Sequence, residues 1–169
     1  ACAVLMETGE QRLLFDIGPG TMRRLLEAGS SVHDIDYVFI SHFHPDHSGE
    51  LASFLFANKY PDPTRRQKAL TLVGGPGFSD FYAKLAAIYE NWIDLPGKLS
   101  VLEIDGLSDK IRQCGNFHFD CASAAHRPES LSYRITTRRG SVVYSGDTDY
   151  CADLVRLAGS MPNFDRPLA

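Results

Sequence analysis

The pattern of apolar positions predicts short strands and amphipathic helices along the chain. Apolar runs at residues 3–6 and 13–16 flank a polar turn at Gly9, which predicts a β-hairpin. Later apolar runs predict further strands, and the last two flank Arg139 and Gly140 as a second hairpin. These further strands are expected at residues 37–40, 69–73, 99–104, 117–121, 131–136 and 141–144.

Four helices are predicted between or after these strands. The first has Thr21 as its N-cap and ends at Gly29, and the second begins near Gly49. The third has an apolar stripe that we expect to lie in the core, formed by Phe81, Leu85, Ile88 and Trp92. The fourth has a predicted buried face of Cys151, Leu154, Val155 and Ala158.

Length, apolar content and charge limit the classes of function. The 169 residues fit one domain with a substantial core, and no apolar run approaches the ~18 residues of a membrane span, so we expect a soluble chain. The net charge of −4 weakens the case for a nucleic-acid substrate but leaves RNA open. Basic residues at 65–68 and 138–139 are predicted to lie in solvated loops.

The cysteines and the amino-terminal residues bear on the cellular compartment. No pair of cysteines has C-x-x-C spacing, and we interpret them as buried thiols of a reducing compartment. The first residues carry no basic leader, so we expect a cytoplasmic protein. The cysteines are Cys2, Cys114, Cys121 and Cys151.

The densest candidate chemistry follows the strand predicted at residues 37–40. Within six positions the chain places His42, His44, Asp46 and His47. His42 and His44 point the same way while the backbone stays extended, and Pro45 then moves the last two onto a loop. Imidazole and carboxylate are usual zinc ligands, and two offset pairs suit two neighbouring ions, so we predict a binuclear metal site. The alternative is that Asp46 only caps the next helix.

Two further aspartates end predicted strands. Asp147 follows the strand at 141–144 beside Gly146, which allows close backbone approach and suits a ligand that bridges two cations. The alternative for Asp147 alone is a helix N-cap. Asp16 ends the second strand in an apolar setting, so it needs polar partners if it is buried.

The motif His42-x-His44-x-Asp46-His47 resembles the signature of the metallo-β-lactamase-fold hydrolases, and the surrounding chain is most similar to their ribonuclease Z-like branch. The resemblance extends over residues 3–157. It implies an α/β fold of the four-layer αβ/βα sandwich type, in one domain over residues 1–169. His126 falls where the family has the third imidazole of site one, and Asp16 falls where an aspartate supports the metal-binding turn.

The resemblance also implies how the ligands divide between two divalent metal ions. His42, His44 and His126 would hold one ion, Asp46 and His47 the other, and Asp147 would bridge them. Zinc is the expected metal, with manganese and iron as alternatives, because all three accept these ligands. A hydroxide shared by the two ions would be the nucleophile, and Asp46 would also orient it as the catalytic residue.

We therefore expect a metal-dependent hydrolase. Residues 126–134 and 144–148 look like the ribonuclease Z-like branch, which favours a phosphodiester substrate. The partner is then a small-molecule ester or phosphodiester, with RNA and a homodimer left open. A lactonase or thioesterase on the same site is the alternative enzyme, and a non-catalytic module that kept the fold is the alternative of another class.

The carboxyl end departs from the family pattern. In the family, the helix after the bridging aspartate is followed by a strand, a motif with a candidate proton donor and a last histidine, whereas no histidine follows His126 in this chain. We expect that segments of a longer chain are omitted, which would leave the sandwich incomplete at both ends and site two without its last ligand.

Overall fold

Two β-sheets face each other, and helices lie on their outer faces. The computed structural model describes residues 3–62, 64–105 and 111–159. The strands are β1 Val4–Glu7, β2 Arg12–Phe15, β3 Tyr37–Phe39, β4 Leu70–Gly74, β5 Leu99–Glu103, β6 Arg112–Cys114, β7 Phe117–Ser123, β8 Leu131–Thr137 and β9 Gly140–Tyr144. The helices are α1 Thr21–Glu27, α2 Pro45–Ser48, α3 Leu51–Lys59, α4 Phe78–Tyr89 and α5 Ala152–Gly159, with 3-10 turns at Val32–Asp34 and Glu90–Trp92.

The first sheet has the order β1-β2-β3-β4-β5. The predicted hairpin β1–β2 is antiparallel, and the strands from β2 to β5 run parallel. Parallel neighbours end at the same edge of the sheet, so the residues that follow β2 and β3 meet there. The backbone N–H of Ser41, after β3, accordingly donates to Oδ1 of Asp16, after β2, at 2.7 Å.

The second sheet is the antiparallel meander β6-β7-β8-β9. The predicted hairpin around Arg139 and Gly140 is present as the β8–β9 connection. Strand β6 was not predicted, because Arg112–Cys114 is a short polar segment with no apolar alternation.

Two apolar clusters hold the layers together. One lies between the first sheet and the helices α1, α3 and α4, and includes Val38 and Phe54. The other lies between the sheets, where Phe39 contacts the rings of Phe119 and Tyr133 at centroid distances of 5.2 Å. Helix α5 packs on the outer face of β7 and β8. The predicted α/β four-layer sandwich is therefore confirmed.

The third predicted helix is shorter than its apolar stripe suggested. Phe81 and Leu85 pack against the core, but the exposed fractions of Ile88 and Trp92 are 71% and 57%. The backbone turns at Glu90, where φ is 48°, and the chain changes from an α-helix to a 3-10 turn. Trp92 therefore leaves the helical stripe, and the prediction that Ile88 and Trp92 lie in the core was wrong.

The predicted buried face of the last helix is also wrong in part. Leu157 is buried, whereas Val155 is 56% exposed and Ala158 is exposed. The reason is that α5 lies against polar outward-facing residues of the second sheet, where Nη1 of Arg134 donates to the carbonyl of Leu157 at 3.0 Å. This contact orients the Leu157 side of the helix towards the sheet.

The cysteines agree only partly with the prediction of buried thiols. Cys121 is buried in the cluster between the sheets, and burial raises the pKa of its thiol to about 11. Cys114 and Cys151 are half-buried, and all three are free thiols. Cys2 lies outside the described residues. Within the three described stretches, no helix has the length and apolarity needed to cross a membrane.

Arg66 is buried, although the basic run at residues 65–68 was predicted to be a solvated loop. Its exposed fraction is 1%, and Nη1 donates to Oδ1 of Asn58 at 2.7 Å and to the carbonyl of Val32 at 3.2 Å. Nη2 donates to the carbonyls of Ile35 and Ala69. One guanidinium therefore joins α3, the loop before β3 and the start of β4, which a local charge count cannot reveal.

Replacing Arg66 by alanine should lower the free energy of unfolding by about 3 kcal/mol, because buried carbonyls and the Asn58 amide would lose their donor. Arg65→Ala is the matched control, since that side chain is exposed and has no bonded partner among the described residues. Urea denaturation followed by circular dichroism measures both. Equal stability of the two variants would contradict the assigned role of Arg66.

Candidate metal centre

The segment after β3 carries two histidines to the edge of the first sheet. Ile40 still donates its backbone N–H to the carbonyl of Val73, so the chain leaves the sheet in an extended form. Alternating side chains then place His42 and His44 together, with Nε2 of His42 3.0 Å from Nδ1 of His44. Phe43 points away from them and stacks on Phe81 of α4 at a centroid distance of 4.7 Å.

The next two candidate ligands lie on a helical turn, not on the predicted loop. Pro45 begins α2, so the helical conformation starts before the predicted position near Gly49. Proline is favoured at the first helical position because its φ is already helical and no N–H is lost there. Asp46 and His47 consequently have fixed backbone positions, and the side chain of His47 is buried while that of Asp46 is 64% exposed.

His126 reaches the motif from the second sheet. It follows β7, and its Nε2 lies 3.2 Å from Nδ1 of His44. The adjacent Ala125 forms a bridge with Asp149, and its N–H donates to Oγ1 of Thr148 at 3.0 Å. The segments that carry His126 and Asp147 therefore hold each other in place at the mouth of the sandwich.

Two groups of candidate ligands form where these segments meet. In the first, ligand atoms of His42, His44 and His126 lie within 4.8 Å of one another. In the second, those of His42, His47 and Asp147 do so. His42 is thus the residue common to both groups, and Asp147 joins only the second. Asp46 belongs to neither group, but its Oδ2 lies 3.5 Å from Nε2 of His47.

The donor set fits divalent cations. Ligand bonds of about 2.0–2.1 Å in a tetrahedral site imply ligand atoms roughly 3.3 Å apart. The separations around His44 are 3.0 and 3.2 Å, and Oδ1 of Asp147 lies 3.4 Å from Nε2 of His47. Among the described residues, that Nε2 is buried without a hydrogen-bond partner. A cation bound between this nitrogen and the carboxylate of Asp147 would give the buried nitrogen a partner.

Electrostatics keep His42 in the form that can act as a ligand. Burial lowers the pKa of His42, and the neighbouring imidazoles, first that of His47, lower it further, while Asp16 opposes the change. A neutral imidazole has a free nitrogen lone pair, whereas a protonated one has none. The cluster therefore favours cation binding without first having to remove a proton from His42.

Asp16 supports the turn, as the resemblance implied. Its carboxylate is fully buried and accepts a hydrogen bond from Nδ1 of His47 at 2.7 Å and from the hydroxyl of Tyr144 at 2.6 Å. Ser41 donates to it through its backbone N–H and its hydroxyl. The backbone of Asp16 has φ 58°, an uncommon value for a residue with a side chain. A buried carboxylate requires such donors, and in return it fixes the ring of His47.

The second sheet holds the same turn from the other side. The hydroxyl of Tyr133 donates to the carbonyl of Ile40 at 2.8 Å, and the N–H of Leu131 donates to the carbonyl of Ser41 at 2.9 Å. Burial raises the pKa of Tyr133 well above its ordinary value, so the hydroxyl keeps the proton that it donates. Each side of the turn is therefore bound to a different sheet.

Sequence reasoning did not find Ser41, Tyr133 and Tyr144. Ser41 adjoins the predicted ligand His42 and Tyr144 lies close before Asp147, and this proximity was the available signal. Their partners, however, lie far away in sequence, since Tyr144 and Asp16 are 128 residues apart. A single sequence with local periodicity carries no information on such pairs.

Comparison with known sequences identifies the family of this chain. The sequence model of the family described as "Anti-Pycsar protein Apyc1" matches residues 2–161. The chain belongs to this family. Ribonuclease Z of Mycobacterium avium is 25% identical over an alignment of 166 residues that covers 92% of this chain and 59% of that protein. Ribonuclease Z of Bradyrhizobium diazoefficiens is 30% identical over an alignment of 130 residues that covers 74% of this chain and 40% of that protein.

Solved structures show the same fold. The metallo-β-lactamase fold protein YhfI from Bacillus subtilis matches with a TM-score of 0.73 and 20% identity, covering 92% of this chain and 59% of that one. Human tRNase Z, short form, matches with a TM-score of 0.72 and 21% identity, covering 90% and 63%. The metallo-β-lactamase fold and the ribonuclease Z-like resemblance are therefore confirmed. The chain spans only 59% and 40% of the lengths of the two ribonuclease Z proteins.

Asp16→Asn should weaken zinc binding by about 10–100-fold, because an amide cannot accept the same set of donors and His47 loses its orienting partner. Asparagine tolerates the positive φ, so the backbone should remain in place. Competition with a zinc-binding dye measures the affinity. Asp80→Asn, at an exposed helical position, is the matched control. Equal affinities of the two variants would contradict the role of Asp16.

Gly146→Ala should also weaken zinc binding, because its Cβ would lie 2.6 Å from Cβ of Ser41 and displace the motif. Gly146 has φ 60°, so part of the loss of stability comes from backbone strain of about 1–2 kcal/mol. Gly29→Ala has similar strain at φ 74°, but none of the described residues has an atom within 4 Å of its Cβ. Zinc titration of both variants separates the effects, and equal affinities would show that the contact with Ser41 is unimportant.

Proposed function

We propose that this chain forms the metal-binding part of a metal-dependent hydrolase that cleaves phosphodiesters. The convergence of imidazole and carboxylate groups from three separate segments carries the proposal: the turn after β3, the loop after β7 and the end of β9. The ribonuclease Z relatives support a phosphodiester substrate. Because the chain covers 59% of the first of them, the activity of the whole protein is part of the proposal.

We further propose the identity and placement of the metal ions. His42, His44 and His126 would hold one zinc ion, and His47 with Asp147 would hold a second divalent ion, with Asp46 as a further ligand or neighbour. Manganese and iron are the alternatives, because they accept the same nitrogen and oxygen ligands. When bound, such ions would supply Lewis-acid chemistry, which activates water near neutral pH and polarises a phosphoryl oxygen.

The protein side chains would supply orientation and proton transfer. Asp46 has a largely exposed carboxylate at the mouth of the site, so an oxygen of Asp46 can accept a hydrogen bond from the attacking water and align it. The buried contacts of Asp16 keep His47 and the turn from reorienting. The exposed position of His126 leaves one side of the centre open for a substrate.

The charge near the site favours a small phosphodiester over a long nucleic acid. The proposed cations would offset the exposed carboxylates of Asp46 and Asp147, and Asp149 is a further exposed carboxylate beside them. Arg127 adjoins His126 but lies 3.9 Å from Glu129. Contact with a nucleic-acid backbone uses several lysine or arginine residues, one for each phosphate neutralised. RNA is the second candidate substrate, and the names of the ribonuclease Z relatives support it.

The purified full-length protein should bind up to two zinc ions and hydrolyse bis-p-nitrophenyl phosphate. His126→Ala should lower the metal content, and should lower the rate by more than the ~10–100-fold typical of losing an outer contact, because a direct ligand is removed. His118→Ala, in strand β7, is the matched control and should keep both. Elemental analysis and absorbance at the nitrophenolate band are the measurements.

Assays of the same protein with lactones, thioesters and a transfer RNA precursor discriminate between the proposed classes of function. Turnover of lactones or thioesters without phosphodiesters would contradict the proposed substrate class. Two bound ions without turnover of any substrate would favour the non-catalytic module. Cleavage of a transfer RNA precursor at a higher kcat/KM than the small phosphodiester would make RNA the substrate.

A further inference from the structure

Ser41 stands between the two groups that the proposed metal centre needs to orient. Ser41 is 1% exposed, and its hydroxyl oxygen lies 2.8 Å from Oδ2 of Asp16 and 3.0 Å from Nδ1 of His42. These distances allow a hydrogen bond with each. A hydroxyl has one proton to donate, so it can be the donor in only one of these two bonds.

The charge of the Asp16 carboxylate decides which of the two groups receives the Ser41 proton. The carboxylate of Asp16 is an acceptor, and a hydrogen bond to a charged acceptor is about twice as strong as one between neutral groups. Donation from Ser41 to His42 would leave the stronger bond unmade. Ser41 therefore donates to Asp16, and its lone pair faces Nδ1 of His42.

We propose that Ser41 is a positioning residue that sets the tautomer of His42, with the proton on Nδ1 and a bare Nε2 directed at the metal centre. Nδ1 of His42 then donates to the Ser41 oxygen. Nε2 is the atom that lies 3.0 Å from His44 Nδ1, within the first ligand group. The inference rests on the proposed metal centre and adds a residue that does not itself touch the ions.

Asp16 acts on both histidines in this arrangement. It receives Nδ1–H of His47 directly, which leaves Nε2 of His47 bare, and it reaches His42 through the Ser41 hydroxyl. His42 belongs to both ligand groups, so its tautomer affects both. One buried carboxylate thus prepares two imidazoles to present their Nε2 lone pairs at the same time.

The tautomer can be observed directly in the unaltered chain. Two-bond nitrogen–proton correlation spectra of the metal-free protein, labelled with nitrogen-15 in histidine, should assign the His42 proton to Nδ1. A proton on Nε2 of His42 would overturn the proposal. The spectra report on the tautomer without any turnover, so loss of phosphodiesterase activity alongside the expected tautomer would count only against the proposed function.

Ser41→Ala should lower zinc affinity by about 10–100-fold and move part of the His42 proton to Nε2, because Nδ1 loses its acceptor. Ser48→Ala is a close control, since Ser48 is also buried at the motif but its hydroxyl lies within hydrogen-bond distance of the carbonyls of Phe43 and His44 and, among the described residues, bonds to no imidazole. It should keep the tautomer and the affinity. Wild-type tautomer and affinity in Ser41→Ala would overturn the proposal, and the spectrum of the unaltered chain decides if that variant does not fold.

Discussion

The buried carboxylate of Asp16 is the interaction on which the rest of the site depends. It has no exposure to solvent, so its charge would be costly without donors on every side. The donors that satisfy it are Ser41 after β3, His47 on α2 and Tyr144 at the end of β9. Two of them adjoin or include candidate ligands, and the third belongs to the strand that leads to Asp147. The donors that stabilise the buried charge are therefore the same groups that fix the geometry of the site.

The two sheets contribute different parts of the centre, and their packing brings these parts together. The first sheet supplies a parallel edge at which the turns after β2 and β3 meet. The second supplies His126 and Asp147 from the connections after β7 and β9. The aromatic cluster between the sheets, in which Phe39 of β3 packs on Phe119 of β7 at a ring-centroid distance of 5.2 Å, fixes their separation. A change of packing in this cluster would move ligands on one sheet relative to ligands on the other.

Much of the site was predictable because its ligands form a dense local motif. His42 to His47 lie within one turn, and His126 and Asp147 were found through family resemblance and strand ends. The supports could not be found in this way, because Tyr133 and Tyr144 act across sheets and look like ordinary alternating strand residues. The burial of Arg66 could not be predicted for the same reason, since it depends on carbonyls from other elements. The prediction for Trp92 was wrong because helical periodicity does not show where a helix ends, and the prediction for Ile88 was wrong because periodicity does not show that the last turn of α4 extends past the core.

The central claim is that side chains from both sheets converge to hold a metal ion. Anomalous diffraction from crystals of the zinc-loaded chain tests it most directly. The account predicts a zinc peak about 2.0–2.1 Å from Nε2 of His42, Nδ1 of His44 and Nε2 of His126. A zinc peak at other residues, with none between these three imidazoles, would contradict it.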